Sequence, residues 1–262
     1  MTTISTPVSF NLYLLSDIHV DTETIYPAKK LLVQKLIALP KNPNDIICLA
    51  GDLTDSGTGL ASCCCLFPWQ CCFNNCGCDN ELDQAITEVI NPIIKSHVKD
   101  NVLICSGNHD EATDDCSYPL VDWIRKNYDN VTTEGFYWKV LNGVMFICLG
   151  KYPSLNAVKY FESVHAMNVA KDNLPYIIFF HYQVELSVST DTVFDFWTLQ
   201  EKNAFIASLV GKNIICVCHG HIHQTYMYTI GNGVPVFCGS SLTSFYKLSV
   251  VNNKITTCVI MT

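Results

Sequence analysis

The stretch Ile46-Ile47-Cys48-Leu49-Ala50-Gly51-Asp52-Leu53-Thr54-Asp55 passes from an apolar run of strand character to residues suited to holding a cation. A short apolar run bounded by turn residues reads as a buried strand. The same change of character occurs four more times. Leu12-Tyr13-Leu14-Leu15 precedes Asp17-Ile18-His19, and Val102-Leu103-Ile104-Cys105 precedes Gly107-Asn108-His109-Asp110. Ile177-Ile178-Phe179-Phe180 precedes His181, and Ile214-Ile215-Cys216-Val217 precedes Gly220-His221-Ile222-His223. Five strands therefore end in polar residues at one common edge, and in open α/β sheets the carboxyl ends of strands are where sites form. Five of the eight histidines fall in these stretches, which surface decoration does not explain.

Between these strands the chain carries helical patterns. Residues 28–39 read as an amphipathic helix with Leu31, Leu32, Lys35 and Leu36 at helical spacing, ended by Pro40. Residues 81–97 read as a second helix, which Pro92 is expected to kink. A third spans 119–128, residues 152–174 read as helical and irregular, and residues 199–209 form a further helix. Residues 136–149 read as a hairpin turning at Asn142-Gly143. The tail reads as strands over 226–230, 234–238, 245–251 and 254–260, with a turn at Asn252-Asn253. Helices and strands alternate early and strands dominate late, an order that suits two stacked sheets with helices outside.

The ordered set D-x-H, G-D-x-x-D, G-N-H-D, lone His and G-H-x-H, running from residue 17 to residue 223, resembles the calcineurin-like metallophosphoesterase superfamily. In motif wording it is most similar to class III cyclic-nucleotide phosphodiesterases. The resemblance implies an α/β fold, a four-layer αββα sandwich of two mixed β-sheets flanked by helices. It also implies two divalent metal ions drawn from Mn, Fe or Zn, a choice consistent with imidazole and oxygen ligands. Carried over residue by residue, Asp17, His19, Asp52 and His223 would hold one ion. Asn108, His181 and His221 would complete the other, with Asp52 shared. His109 would stay off the metals, stabilise the transferring oxygens and protonate the leaving group. Asp110 would orient His109, and Asp55 would stand behind the ligands or cap the next segment. Two ions about 3.5–4 Å apart clamp a phosphate ester and bridge the attacking hydroxide. Each motif alone has a plainer explanation, since Asp, Asn and Gly after a strand commonly begin turns. Their joint order outweighs it. His97 and His165 match no motif and read as structural, and His219 reads as filler at a strand end.

The chain has 262 residues, 49% hydrophobic and 15% charged, with a net charge of −8. That length suits one α/β domain over residues 1–262. The acidic balance and absence of a basic run argue against extended nucleic-acid binding. No apolar stretch approaches the ~18–20 residues of a membrane span. The first residues lack the pattern of a signal peptide, so a cytoplasmic location is expected. Fifteen cysteines are present, and seven of them (Cys63, Cys64, Cys65, Cys71, Cys72, Cys76 and Cys78) crowd an insertion at about residues 60–80. Their gaps do not match zinc-binding spacing. The favoured reading is a loop without chemistry, and weak membrane association through lipidated cysteines is the alternative.

Substrate class turns on charge. The chain has one arginine, Arg125, in a predicted helix, and Ser56 follows Asp55. Relatives acting on phosphoproteins carry an arginine directly after this motif, as part of a bidentate clamp on a phosphate dianion. Without that clamp, the expected substrate is a small phosphodiester, a cyclic nucleotide among the candidates. A small phosphomonoester is the alternative, and a non-catalytic scaffold of the same fold is the third reading.

Overall fold

The computed structural model describes residues 9–20, 26–55, 78–111, 120–184, 197–239 and 243–262. Each of the five apolar runs forms a strand: β1 (Ser9–Leu15), β2 (Ile46–Ala50), β3 (Val102–Cys105), β6 (Tyr176–Phe179) and β7 (Ile214–His219). The other strands are β4 (Phe136–Leu141), β5 (Val144–Leu149), β8 (Tyr226–Ile230), β9 (Val234–Cys238), β10 (Phe245–Val251) and β11 (Lys254–Met261). They assemble into a five-stranded sheet, β11-β10-β1-β2-β3, and a six-stranded sheet, β4-β5-β6-β7-β9-β8. Both are mixed, because β1 pairs parallel to β2 and antiparallel to β10, and β5 pairs parallel to β6 and antiparallel to β4.

Side-chain alternation shows the layering. Strand residues alternate between the two faces of a sheet. From β5, Val144, Phe146 and Cys148 join the core shared with the five-stranded sheet, whereas Met145, Ile147 and Leu149 pack outward. From β6, Ile177 and Phe179 face inward while Tyr176, Ile178 and Phe180 face outward. The outward set meets Phe161 and Val164 of α5 (Leu155–Lys171) and Phe205 of α6 (Leu199–Ser208). The five-stranded sheet is covered by α1 (Tyr26–Ile37) and by the helical stretch of α2 (Cys78–Ala85), a π-helical turn (Ile86–Ile90) and α3 (Asn91–Ser96). The arrangement is the expected αββα sandwich.

Local details follow from the sequence. The β4–β5 hairpin turns through Asn142 and Gly143, both at positive φ (51° and 72°), as a two-residue I′ turn requires. Asn252 and Asn253 close the β10–β11 hairpin the same way (φ 52° and 62°). Pro92 sits in the first turn of α3, directly after the π turn, which widens the helix locally. A further helix, α4 (Leu120–Asn127), lies in the predicted place.

Two expectations need correction. Residues 152–174 are not irregular: α5 is one regular helix, capped by the Ser154 side chain on the Ala157 amide. Its buried stripe of Ala157, Phe161, Val164 and Asn168 is blurred in the sequence by exposed Met167 and Val169. In α1 the buried face is Tyr26, Lys29, Leu32, Val33 and Leu36, whereas Leu31 is exposed. Among the described residues no helix is long and apolar enough to cross a membrane. Most of the cysteine-rich insertion, residues 56–77, lies outside the described residues.

Candidate metal centre

The loops after β1 and β2 continue the strand ladder beyond the sheet. The amides of Asp17, His19 and Val20 donate to the carbonyls of Gly51, Asp52 and Leu53 at 3.0, 3.1 and 2.9 Å. This sets the side chains of both motifs side by side. The other sheet arrives opposite, with the Gly220 amide donating to the His181 carbonyl at 3.0 Å. The two edges are then stitched together. The His221 amide donates to both Asp17 oxygens at 3.0 Å across the two sheets, and within the five-stranded sheet's own edge the His109 amide donates to Asp52 Oδ1 at 2.9 Å.

Backbone strain concentrates here. Asp17, His19, Asp52, His221 and His223 all have φ between 50° and 76°. Asp and His enter the left-handed region more readily than most residues, and such conformations persist where the surroundings enforce them, often at functional sites. Glycine is required at two close approaches. A Cβ on Gly107 would lie 2.0 Å from Asp52 Oδ1, and one on Gly220 would lie 1.7 Å from Ser16 Oγ.

All seven residues predicted as ligands converge. His19 Nε2 lies 3.1 Å from His223 Nε2 and 3.9 Å from Asp52 Oδ2, and Asp17 Oδ1 lies 3.4 Å from His223 Nε2. On the other side, His181 Nε2 lies 3.0 Å from Asp52 Oδ2 and 3.1 Å from Asn108 Oδ1. Asp52, His181 and His221 form one compact group of ligand atoms, and Asp17, His19 and His223 form another. Asp52 Oδ2 stands between the two groups, the position of a shared ligand.

Electrostatics suit a cation. Asp17, Asp52 and Asp110 are all buried. Burial, and the Asp52 charge, push the Asp17 carboxyl upward. Burial also pushes Asp110 up to about 6, reinforced by Asp52. Burial alone would raise Asp52, but the His181 imidazole, then His109, override it and hold Asp52 below the carboxylate range. Burial lowers His19 and His221 to about 3, so both present uncharged lone pairs. His181 runs the other way: burial pushes it down, but the Asp52 carboxylate lifts it to about 9. Its Nδ1 faces the Ala50 carbonyl at 2.8 Å, which leaves Nε2 aimed at two oxygen acceptors. Three acceptor atoms this close need a proton or a metal ion among them. Buried carboxylates, an amide oxygen and neutral imidazoles are a donor set for a borderline divalent cation, and buried charge calls for such a partner.

One supporting role differs from expectation. Asp110 was predicted to orient His109. Its carboxylate is occupied by backbone instead: Oδ1 accepts from the Leu53 and Thr54 amides at 2.9 Å, and Oδ2 from the Gly107 amide at 2.8 Å. It clasps the second and third motif loops together. The His109 ring is aimed by the Asp55 carbonyl, which faces its Nδ1. The Asp55 carboxylate lies 3.4 Å from His19 Nδ1, so one residue braces both imidazoles. Carboxylates behind ligating imidazoles fix ring orientation in this way. Sequence could offer Asp55 only as a candidate, because a carbonyl's direction leaves no residue signature.

The remaining histidines stay outside the cluster. His219 is fully buried between Phe180 and the Tyr228 hydroxyl, 2.9 Å from its Nε2. His165 pairs with Tyr176 and His97 with Ser96. Arg125 pairs with Asp122 on the exposed face of α4, at 3.3 Å. The sequence reading missed Lys151. Its carbonyl accepts from the His181 and Tyr182 amides at 3.0 and 2.9 Å, and its ammonium pairs with Glu111.

A family model described as calcineurin-like phosphoesterase matches residues 10–225. A dimetal phosphatase from Danio rerio is 12% identical, with 98% of this chain and 99% of that chain covered and a TM-score of 0.60. A phosphopantetheinyl hydrolase from Mycobacterium tuberculosis is 13% identical, with 90% of both chains covered and a TM-score of 0.48. At 12% identity the likeness to the Danio rerio phosphatase concerns the fold. No curated protein matches the chain.

Proposed function

Because this chain belongs to the calcineurin-like phosphoesterase family, we propose that it hydrolyses a small phosphodiester with the help of two divalent cations. One observation carries the reading: Asp52 Oδ2 lies between two sets of candidate ligands, His19 with Asp17 and His223 on one side and His181 with His221 on the other, and Asn108 Oδ1 lies 3.1 Å from His181 Nε2. A pair of such ions, when bound, supplies Lewis acidity toward the phosphoryl oxygens and an activated water. Asp17, His19, Asp52 and His223 would hold one ion, and Asp52, Asn108, His181 and His221 the other. Mn, Fe and Zn fit these ligands best.

The protein's own groups do the rest. His109 stands beside His19, ring centroids 4.8 Å apart, with its Nδ1 on the Asp55 carbonyl. That turns Nε2 away from the Asp55 carbonyl, and it can donate to a phosphoryl or leaving-group oxygen when the ring carries both protons. The Asp110 clasp holds the His109 loop against Asp52. Arg125 is the chain's one arginine and pairs with Asp122 on α4, so the reading builds no guanidinium clamp for a phosphate dianion. A monoanionic diester, a cyclic nucleotide among the candidates, needs less neutralisation than a monoester dianion. A small phosphomonoester is the second reading, favoured by one observation, the lysine at position 151 beside the His181 backbone. The full set of seven ligand residues speaks against a scaffold without activity.

The test is direct. Protein reconstituted with Mn, Fe or Zn is assayed in parallel on bis(p-nitrophenyl) phosphate, p-nitrophenyl phosphate and cyclic nucleotides. Metal-dependent turnover with the diester preferred supports the reading. Preference for the monoester transfers it to the second, and no turnover with any metal overturns both.

A further inference from the structure

We propose that the Lys151–Glu111 pair reads the charge of the substrate, with Lys151 taking the additional negative charge of a phosphate dianion. This rests on the phosphoesterase reading above. The placement comes from three contacts. The Lys151 carbonyl accepts from the amides of His181 and Tyr182, so its backbone is fixed beside a candidate ligand. Its Nζ meets the carboxylate of Glu111, the residue directly after Asn108-His109-Asp110. The same ammonium lies 5.9 Å from the centre of the Tyr182 ring, and that ring lies 4.8 Å from the His221 ring. Lys151 thus lies on the side of Asn108, His181 and His221, between the loop that carries His109 and the loop that carries His181, with the Tyr182 ring between it and His221.

The pair is reachable. Lys151 is 24% exposed and Glu111 44%, so an incoming anion can compete with Glu111 for the ammonium. The other lysine near the cluster, Lys29, is buried below it, with Nζ 3.3 Å from the Ser16 carbonyl. A diester leaves the pair intact, since its extra oxygen is esterified and uncharged. A dianion presents a charged oxygen, draws Lys151 away from Glu111 and gains a charge-assisted bond. Glu111 therefore opposes monoesters by holding the cation that would favour them, and specificity is the difference between the two affinities.

Two variants should move specificity in opposite directions. Lys151→Met keeps the aliphatic stem over Tyr182 and removes the charge. It should raise the ratio of kcat/KM for bis(p-nitrophenyl) phosphate over p-nitrophenyl phosphate at least tenfold, mainly through KM for the monoester. Lys151→Arg should restore the ratio. Glu111→Gln frees the ammonium and should lower the ratio several-fold. Titration of metal-loaded protein with inorganic phosphate gives a readout without turnover: binding should weaken at least tenfold in Lys151→Met and tighten in Glu111→Gln. Equal loss on both esters, a ratio moved the same way by both variants, or unchanged phosphate binding overturns the proposal. If the wild type turns over neither ester, the phosphoesterase reading fails while the phosphate titration still decides the role of Lys151.

Discussion

Asp52 Oδ2 lies 3.0 Å from His181 Nε2, joining the end of β2 in one sheet to the end of β6 in the other. This contact crosses the interface between the two sheets, so the centre exists only once both have docked. Removing it should be decisive. Asp52→Asn should abolish turnover and lower bound metal, and strong chelator should do the same to wild type. Full activity in either case sinks the two-ion reading.

His109 should act on charge in the transition state and not on metal affinity. His109→Ala is predicted to lower kcat by about 10²–10⁴-fold, the range for a positioned acid or base. Metal content by elemental analysis should match wild type, and its loss would show that His109 is a ligand.

Asp110 should matter through the backbone it holds. Asp110→Ala leaves the buried amides of Leu53, Thr54 and Gly107 without their acceptor. Orphaned buried donors cost about 1–3 kcal/mol each, so a loss of at least ~3 kcal/mol is expected in denaturant unfolding. His109→Ala should cost much less. Equal stability of the two variants would contradict the clasp.

The Asp52–His181 pair sets a pH window in the metal-free protein. His181 is raised from 6.5 to about 9, so its stabilisation is complete below pH 6.5 and is lost as pH rises through 9. Asp52 is lowered from 3.8, so its share is present above that value and is lost as pH falls below it. Metal must displace the His181 proton, so affinity should rise roughly tenfold per pH unit between pH 7 and 9. Calorimetry in two buffers of different ionisation enthalpy should report about one proton released per metal at this position. A pH-independent affinity would refute the assignment.

The cysteine-rich segment should be separable from the chemistry. Among the described residues, none gathered at the centre is a cysteine. Replacing Cys63, Cys64, Cys65, Cys71, Cys72, Cys76 and Cys78 by serine should leave metal content and turnover of small esters nearly unchanged. Loss of zinc beyond two ions would reveal a thiolate site instead, and loss of membrane recovery at full activity would point to lipidation.

The strands and the two Asn-bearing hairpins were legible because their signals are local: apolar runs, alternation and turn residues that tolerate positive φ. The candidate ligands stood out because an ordered series of Asp, Asn and His after strands has no ordinary structural use. The face of α1 and the regularity of α5 were not. Leu31 is apolar yet exposed and Lys29 charged yet buried, and such reversals depend on what packs above the helix.

What the sequence determined by itself is the inventory: which segments are strands, where they end, and which side chains stand ready to bind metal. Only the tertiary structure decided how that inventory is used. It divided the five motif-bearing strands between two sheets and brought Asp17 against the His221 amide, 204 residues away. It turned Asp110 to the backbone, assigned the aiming of His109 to the Asp55 carbonyl, and paired Lys151 with Glu111. The physical reason is the same in each case. Side-chain chemistry is written in the residue names, whereas the directions of backbone amides and carbonyls are set by strand pairing and sheet docking, which act between residues far apart in the chain.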